Sequence, residues 1–287
     1  MKINIQNKEK KRKKHKGFLL FMVIIITIIM VSVILAVTLL ARAHSNDIIN
    51  DTGFIDIHAH ILPGVDDGAE NMQEALYMAY MAYNNGIRHI IATPHSKIKY
   101  TVHELENKLA ILQNMIYNHS LKLKLYLGQE IFYNIGSVGL LKEGKLATMA
   151  KSRYVLVEFD INIAYAAIYA AVREFINSRY IPIIAHAERY ACLYKRGRIE
   201  ELKMAGCKVQ VNYESVCSGL LNARSAWCRA QLLAENIDYL GTDMHGVKFR
   251  TPDITKSCRW IDRHLKKEYI RKIVHDNAEE FIKQAED

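Results

Sequence analysis

The sequence predicts an α/β protein preceded by one transmembrane helix, and three observations indicate this. From Gly53 to the C-terminus, short apolar runs rich in β-branched residues alternate with helix-length segments. Strands separated by helices pair in parallel, because a crossover helix returns the chain to the same edge of the sheet. Seven such units in the 235 residues from Gly53 onward suit a TIM-like (β/α) barrel better than an open sheet. One long apolar segment precedes these units and predicts a transmembrane helix.

The predicted strands each combine an apolar run with polar residues near the C-terminal end. They are FIDIHAH (54–60), IRHIIATPH (87–95), LKLYLGQE (123–130), YVLVEF (154–159), IPIIAHAE (181–188), CKVQVN (207–212) and IDYLGTDMH (237–245). Helical segments include MQEALYMAYMAYN and TVHELENKLAILQNMIYN, and VHDNAEEFIKQ closes the chain. Thr101 and Glu104 have the spacing of a capping box, which predicts the start of a helix.

The first 52 residues differ in composition from the rest of the chain. Residues 1–17 carry eight basic residues against Glu9, so this tail supplies +7 of the net charge of +9. Basicity confined to a tail argues against a nucleic-acid-binding domain. Residues 18–40 contain only Thr and Ser as polar members and can span a hydrocarbon core of about 30 Å as a helix. We therefore predict a membrane helix at 18–40, a linker at 41–52 and a folded domain at 53–287.

Two questions about the N-terminal segment stay open. A cleaved secretory signal is the alternative to an anchor, since Ala41 to Ala43 fits a cleavage site, although signal cores usually have about 7 to 15 apolar residues. The positive flank predicts a cytoplasmic N-terminus and a folded domain outside. Unpaired cysteines without a C-x-x-C pair suit a reducing, cytoplasmic side instead. These cysteines are Cys192, Cys207, Cys217, Cys228 and Cys258.

Side chains that bind metals gather at the ends of the predicted strands. Residues i and i+2 of a strand share a face. His58 and His60 can therefore bind one metal ion together, and so can Asp243 and His245. The carboxyl ends of barrel strands converge on one face. The other candidates there are Asp67, His95, Glu130, Glu158, His186 and Glu188. Crowded imidazoles and carboxylates are costly without compensation, and this predicts a metal cluster.

One further motif resembles the phosphate loop of cysteine-dependent phosphatases. Cys192 and Arg198 have the C-x5-R spacing, but the loop between them lacks the small residues that let backbone N–H groups wrap a phosphate. Ile199 also follows the arginine, where Ser or Thr is expected. We therefore expect no nucleophilic role for Cys192.

Six motifs between Phe54 and the C-terminus carry a resemblance to a known family. They are DIHAHILPGVDDGA, IATPH, GQE, VEF, AHAERY and GTDMHGVKFRTP. Together they resemble the polymerase and histidinol phosphatase (PHP) superfamily. Within it, the chain looks like the bacterial manganese-dependent tyrosine-protein phosphatases of capsular and exopolysaccharide synthesis. Two features depart from that pattern, namely the membrane segment and the loosely matching stretch VNYESVCSGL.

The resemblance implies a distorted (β/α)7 PHP barrel that holds three metal ions. By position, the first ion would be bound by His58, His60, Glu130 and Asp243. Glu130 would bridge to a second ion held by Glu158 and His186, and the third would be held by Asp67, His95 and His245. Arg189 matches the family arginine that contacts phosphate. Ligands of nitrogen and oxygen without thiolate suit Mn²⁺, and Fe or Zn would also fit.

The implied function is hydrolysis of phosphotyrosine by a metal-activated hydroxide, with no phosphoenzyme. The implied partner is a phosphotyrosine protein, such as a bacterial tyrosine kinase of polysaccharide synthesis. Two alternatives stay open. One is a small-molecule phosphomonoesterase of the histidinol-phosphatase kind, which would share the barrel and the metals. The other is a membrane-tethered, non-catalytic regulator of polysaccharide assembly, although a scaffold has no need of nine convergent ligands.

Overall fold

The computed structural model describes residue 22 and residues 24–33, 53–97, 99–219 and 222–286. The chain divides into two compact units, Met1–Ile48 and Ile49–Asp287. In the first unit, the described residues are helical. Among all described residues, no helix has both the length and the apolar character needed to cross a membrane. The predicted membrane helix (18–40) extends beyond the described residues at both ends, and the tail and linker lie outside them, so these assignments stay predictions.

The second unit alternates strands and helices along the chain. Its strands are β1 (Phe54–Ala59), β2 (Ile87–Ala92), β3 (Lys124–Leu127), β4 (Glu130–Phe132), β5 (Tyr154–Glu158), β6 (Ile181–Ile184), β7 (Lys208–Asn212) and β8 (Tyr239–Gly241). Its helices are α1 (Met72–Asn84), α2 (Val102–Asn118), α3 (Ser137–Lys142), α4 (Tyr165–Asn177), α5 (Arg198–Met204), α6 (Tyr213–Val216), α7 (Ala223–Leu233), α8 (Thr255–His264), α9 (Lys267–Arg271) and α10 (Asn277–Glu286). A π-helical turn, Lys272–Asp276, joins the last two.

All strand pairs within the two sheets are parallel. One sheet has the order β1-β2-β3 and the other has the order β4-β5-β6-β7-β8. Within each sheet, consecutive strands are therefore neighbours, and the helices between them return the chain to the same end of the sheet. The predicted parallel α/β architecture is confirmed.

The strand predicted at 123–130 is interrupted, and this part of the prediction is wrong. β3 ends at Leu127 and β4 begins at Glu130. Gly128 N still donates to the Ala92 carbonyl at 2.8 Å, but the Gln129 side chain accepts a hydrogen bond from Ala147 N at 2.8 Å. The strand is interrupted at this point, where the Gln129 side chain is hydrogen-bonded to the segment before β5. Glu130 consequently starts the second sheet.

Backbone hydrogen bonds link the carboxyl ends of strands from the two sheets. Asp243 N donates to the His58 carbonyl at 2.8 Å, and His60 N donates to the Met244 carbonyl at 2.9 Å. A single parallel bridge also joins His95 to Glu130. Because the links are single bridges between a three-stranded and a five-stranded sheet, closure into one seven-stranded barrel stays a prediction.

The strands are buried on both faces, as expected for parallel sheets covered by helices. In β5, Val155, Leu156 and Val157 are fully buried. Asp56 in β1 is a buried exception, and it accepts hydrogen bonds from Thr242 Oγ1 at 2.5 Å and from Thr242 N at 2.9 Å. Burial raises the pKa of Asp56 to about 6. These bonds tie β1 to the segment that follows β8.

The capping box predicted at the start of α2 is confirmed. Thr101 Oγ1 accepts a hydrogen bond from Glu104 N at 3.3 Å, and the Glu104 carboxylate accepts one from Thr101 N at 2.7 Å. Two of the four backbone N–H groups that lack a partner within the helix are thereby satisfied.

We expect Thr101→Ala to lower the free energy of unfolding by about 1 kcal/mol, because the helix loses an N-cap acceptor. Urea denaturation of the purified chain followed by circular dichroism measures this change. Thr101→Ser keeps the hydroxyl and serves as the control, with a free energy of unfolding close to that of the wild type. Equal destabilisation by both substitutions would contradict the capping role.

Candidate metal centre

The nine predicted ligands lie together at the carboxyl ends of the strands. Six are buried in the centre, four of them histidines, and Glu158 and His95 are half-buried at its edge. The Asp67 side chain is the most exposed, at 64%. The nine residues form four overlapping groups whose ligand atoms lie within 4.8 Å of one another. These groups are His60, Asp67, His95 and His245; His58, Glu130 and His186; His58, His60 and Asp243; and His95, Glu130 and Glu158.

Glu130 occupies the middle of the cluster. One of its oxygens, Oε1, lies 2.7 Å from His186 Nε2 and 3.4 Å from His58 Nε2. The other oxygen, Oε2, lies 2.9 Å from His95 Nδ1 and 3.3 Å from His60 Nε2. The carboxylate therefore faces four imidazoles at once, as a bridging metal ligand would.

Asp243 and Asp67 complete the two sides of the cluster. Asp243 Oδ1 lies 3.5 Å from Nε2 of both His58 and His60. Asp67 Oδ1 lies 3.3 Å from His95 Nε2 and 3.4 Å from His245 Nε2. Glu158 contacts the same region, with Oε1 3.5 Å from His186 Nε2. The structure thus brings all nine predicted ligands together.

Bound divalent metal ions explain the arrangement of the ligand atoms better than hydrogen bonds among these side chains do. Nε2 of His58 and Nε2 of His60 lie 3.3 Å apart, although a neutral imidazole has only one N–H to share. Glu130 Oε2 is buried and makes no hydrogen bond, despite its short distance to His95. Buried polar atoms normally have a partner. A set of imidazoles and carboxylates suits Mn, Fe or Zn.

The electrostatic environment differs among the imidazoles. Burial lowers the pKa of His58, but Glu130 and Asp243 outweigh burial, and the net pKa is raised. The same competition, with Asp66 and Glu130, raises the pKa of His60 to about 10. Burial dominates at His186 and lowers its pKa to about 4. The carboxylates thus hold positive charge near His58 and His60, and a metal cation would satisfy the same demand.

Two arginines reach the edge of the cluster. Arg189 Nη2 donates to Asp243 Oδ2 at 2.6 Å, so the predicted phosphate-binding residue lies beside a predicted ligand. Arg250 was not predicted, and its Nη2 donates to the same oxygen while its Nη1 lies 2.9 Å from His245 Nε2. The sequence signal for Arg250 was its position, since it is a basic residue in the loop that follows Asp243 and His245.

Asp66 is a second residue that the sequence interpretation missed. Its Oδ2 lies 2.8 Å from His60 Nδ1 and accepts a hydrogen bond from His95 N at 3.0 Å, while Oδ1 accepts one from Gly68 N at 3.1 Å. Asp66 is buried, whereas its neighbour Asp67 is exposed and faces the imidazole edges. The two adjacent aspartates therefore differ in role, since Asp66 orients histidines and Asp67 offers a free oxygen.

Cys192 shows no feature of a catalytic nucleophile. It lies in a short 3₁₀ turn, Ala191–Tyr194, and burial raises the pKa of its thiol. A raised pKa disfavours the reactive thiolate. The Arg198 guanidinium donates to the backbone carbonyl of Cys192, so it does not form a phosphate cradle around the sulfur.

The fold and the cluster together define a parallel α/β protein with a candidate site for several metal ions. A family model described as capsular polysaccharide synthesis, CpsB/CapC, matches residues 54–283. The chain belongs to this CpsB/CapC family.

Named relatives and a solved structure agree with the family. Tyrosine-protein phosphatase CpsB of Streptococcus agalactiae serotype V is 26% identical over 240 residues, covering 80% of this chain and 98% of the relative. Tyrosine-protein phosphatase YwqE of Bacillus subtilis strain 168 is 27% identical over 230 residues, covering 78% and 90%. A crystal structure from work on YwqE of B. subtilis and CpsB of Streptococcus pneumoniae, described as unique metal-dependent tyrosine phosphatases, matches with a TM-score of 0.72. It is 26% identical to this chain, and the match covers 80% of this chain and 94% of that chain.

We expect Asp66→Asn to weaken Mn²⁺ binding by about 10- to 100-fold, the usual effect of losing a partner that orients a metal-binding histidine. All three groups bonded to Asp66 are donors, and an asparagine NH₂ cannot accept from any of them. Competition with a chelator measures the affinity.

Asp253→Asn is the matched control for Asp66→Asn. Asp253 Oδ1 also accepts from the backbone N–H two residues later, that of Thr255, at 2.9 Å, but it does not belong to the cluster. We expect wild-type affinity for Mn²⁺ in this variant. Unchanged affinity in Asp66→Asn would show that Asp66 does not orient the ligands.

Proposed function

We propose that this chain is a metal-dependent protein-tyrosine phosphatase that acts in capsular or exopolysaccharide synthesis. The observation that carries the proposal is the convergence of nine nitrogen and oxygen ligands with two arginines at one end of the sheets. The names of the relatives support the same activity, and the family description supports the same process. Its substrate would be a phosphotyrosine protein, such as a tyrosine kinase of polysaccharide synthesis.

The proposed ligand assignment is the one that the family resemblance implies, and the observed groups support it in part, since His58, His60 and Asp243 form one group and Asp67, His95 and His245 belong to another. His58, His60, Glu130 and Asp243 would hold one ion, Glu130, Glu158 and His186 a second, and Asp67, His95 and His245 a third. We take Mn²⁺ as the physiological ion, although Fe or Zn suits the same donors. When bound, these ions supply an activated water nucleophile and neutralise the charge of the phosphate group.

The residues of the chain would bind and orient the ester. The side chains of Arg189 and Arg250 are 26% and 21% exposed, so each guanidinium keeps an open side while one nitrogen holds Asp243. A guanidinium fork can bind two non-bridging phosphate oxygens at once. The leaving group is a phenol with a pKa near 10, so a strong general acid is less necessary than for an alkyl phosphate. Displacement would occur in one step without a phosphoenzyme.

The fold of this enzyme would be a distorted (β/α)7 barrel. Support comes from the two junctions between the sheets, Ala59 with Met244 and His95 with Glu130. In such a barrel, β3 and β4 would act as one bent strand. The active site would then lie at the carboxyl ends of the strands, as in other β/α barrels.

We also propose a single-pass membrane anchor with the N-terminus in the cytoplasm and the catalytic domain outside. Support comes from the apolar run at 18–40, the +7 charge before it and the −2 charge of Ala41 to Asp56. Unpaired cysteines and a cytoplasmic kinase substrate would favour the opposite side. The flanking charges act directly on insertion, whereas the substrate argument comes from relatives.

We expect the purified full-length chain to release phosphate from a phosphotyrosine peptide, to lose this activity in excess EDTA and to regain it with Mn²⁺. Malachite green detection of phosphate measures each step. His58→Ala should lose nearly all activity, because His58 belongs to two ligand groups. Cys192→Ser is the control and should keep most of it. Full activity in EDTA, or a folded but inactive Cys192→Ser, would refute the metal-dependent mechanism.

We expect Arg189→Ala to lower turnover by about 100-fold, the order found when a charge-stabilising donor is removed from an active site. Metal content should be unchanged, because arginine does not ligate cations. Steady-state kinetics and elemental analysis measure the two quantities. Arg198→Ala, nine residues along the same segment, should retain wild-type turnover. Loss of metal from Arg189→Ala would assign that residue a structural role instead.

We expect protease added to intact protoplasts to remove the catalytic domain and spare the basic tail. Antibodies against an epitope at each terminus distinguish the products on a blot. Permeabilised protoplasts give the control for total cleavage. A domain that becomes sensitive only after permeabilisation would place it in the cytoplasm.

A further inference from the structure

Strand β7 (Lys208–Asn212) supplies none of the nine proposed ligands, yet two of its side chains face the cluster. Gln210 is fully buried and Asn212 is 7% exposed. They are two residues apart in a strand, so their side chains project to the same face. Two buried primary amides carry several donors and acceptors, all of which need partners.

The two amides connect three proposed ligands on neighbouring segments. Gln210 Oε1 accepts a hydrogen bond from His186 N at 2.7 Å and lies 3.2 Å from His58 Nδ1. Gln210 Nε2 donates to Asn212 Oδ1 at 2.8 Å, and Asn212 Nδ2 donates to Asp243 Oδ2 at 2.7 Å. The chain of contacts thus runs from His58 and His186 through β7 to Asp243.

The groups at the two ends of this series of hydrogen bonds fix the orientation of both amide side chains. His186 N can only donate, so the atom of Gln210 that faces it is the oxygen, and the nitrogen must face Asn212. The ionised carboxylate of Asp243 can only accept, so the atom of Asn212 that faces it is the nitrogen. Both amides therefore have one orientation that satisfies every contact, and flipping either amide would place like groups together.

The orientation of the Gln210 amide determines the tautomer of His58. Because Gln210 Oε1 accepts, His58 Nδ1 must carry the proton. The lone pair of Nε2 is then free on the side of the cluster, where it lies 3.4 Å from Glu130 Oε1 and 3.5 Å from Asp243 Oδ1. A metal ligand needs this unprotonated nitrogen.

Gly241 in β8 provides the space for this arrangement. A Cβ atom at that position would lie 2.8 Å from His58 Cβ and 3.0 Å from Gln210 Nε2. Both distances are closer than ordinary van der Waals contact. The amide of Gln210 and the ring of His58 therefore lie against the bare backbone of the adjacent strand.

We propose that Gln210 and Asn212 form an amide relay that holds His58 in its metal-binding tautomer and orients Asp243. The inference rests on the proposed metal-binding role of these two ligands. Gln210 and Asn212 are positioning residues, since they act through the ligands and bind no metal themselves.

Mn²⁺ affinity of the full-length chain tests the relay. Gln210→Met keeps the length of the side chain but leaves His58 Nδ1 and His186 N without an acceptor. We expect its affinity, measured by competition with a chelator, to fall by about 10- to 100-fold. Asn212→Leu should cause a smaller loss, because Arg189 and Arg250 also donate to Asp243 Oδ2.

Gln113→Met is the matched control for lost amide bridging. Gln113 in α2 also bridges two groups, as it donates to the Leu123 carbonyl at 3.1 Å and accepts from Leu125 N at 2.7 Å. These contacts lie at the start of β3, so the variant should lower the melting temperature without changing Mn²⁺ affinity. Equal weakening by Gln113→Met and Gln210→Met would overturn the relay.

Nitrogen-15 NMR of the histidine rings gives a readout that does not depend on activity or on a stable variant. In the metal-free wild type, at a pH high enough for the His58 ring to be neutral, we expect its proton on Nδ1, and in Gln210→Met a mixture of tautomers. A wild-type proton on Nε2 would overturn the relay even if Gln210→Met failed to fold. Wild-type affinity in Gln210→Met would overturn the relay alone, whereas a wild-type chain that binds no divalent metal would overturn the proposed function as well.

Discussion

The buried carboxylate of Glu130 is the interaction on which both the fold and the centre depend. Its backbone joins the sheets, since Glu130 N donates to the Pro94 carbonyl at 3.1 Å and Ser96 N donates to the Glu130 carbonyl at 2.9 Å. Its side chain is 1% exposed and is surrounded by four imidazoles from three segments, namely those of His58, His60, His95 and His186. A buried ion costs several kcal/mol unless it is paired. This end of the fold therefore requires positively charged groups beside the Glu130 carboxylate.

Unusual backbone conformations direct side chains into the cluster. His186, Asp243 and Arg250 have φ angles of 31°, 51° and 45°, which are uncommon for residues other than glycine. Each such conformation costs about 1–3 kcal/mol and persists only where the surroundings hold it. Hydrogen bonds supply that hold, because His186 N donates to Gln210 and Asp243 N donates to the His58 carbonyl. The strain lies just past the ends of β6 and β8, at His186 and Asp243, and in the loop after β8, at Arg250.

Strand periodicity and the parallel-strand rule were enough to predict most of the site. All nine proposed ligands lie together because they occupy strand ends or the loops that follow them, and the capping box at Thr101 follows from local spacing. Longer-range features were missed for physical reasons. The break at Gln129 depends on a hydrogen bond to Ala147, which no local pattern encodes. Arg250 acts from an irregular loop, and Gln210 appears in sequence as an ordinary polar residue of a buried strand.

The charge of the cluster links metal binding to substrate binding. Four carboxylates, those of Asp67, Glu130, Glu158 and Asp243, outnumber the two guanidiniums at its edge. Imidazoles that bind metal are neutral, so in the metal-bound cluster these carboxylates and guanidiniums together contribute two net negative charges. Each divalent ion adds two positive charges, so one ion offsets this charge and further ions would make the centre attractive to a phosphate ester. Asp243 would then be neutralised by metal, and Arg189 and Arg250, its present partners, would be free to bind the phosphate oxygens.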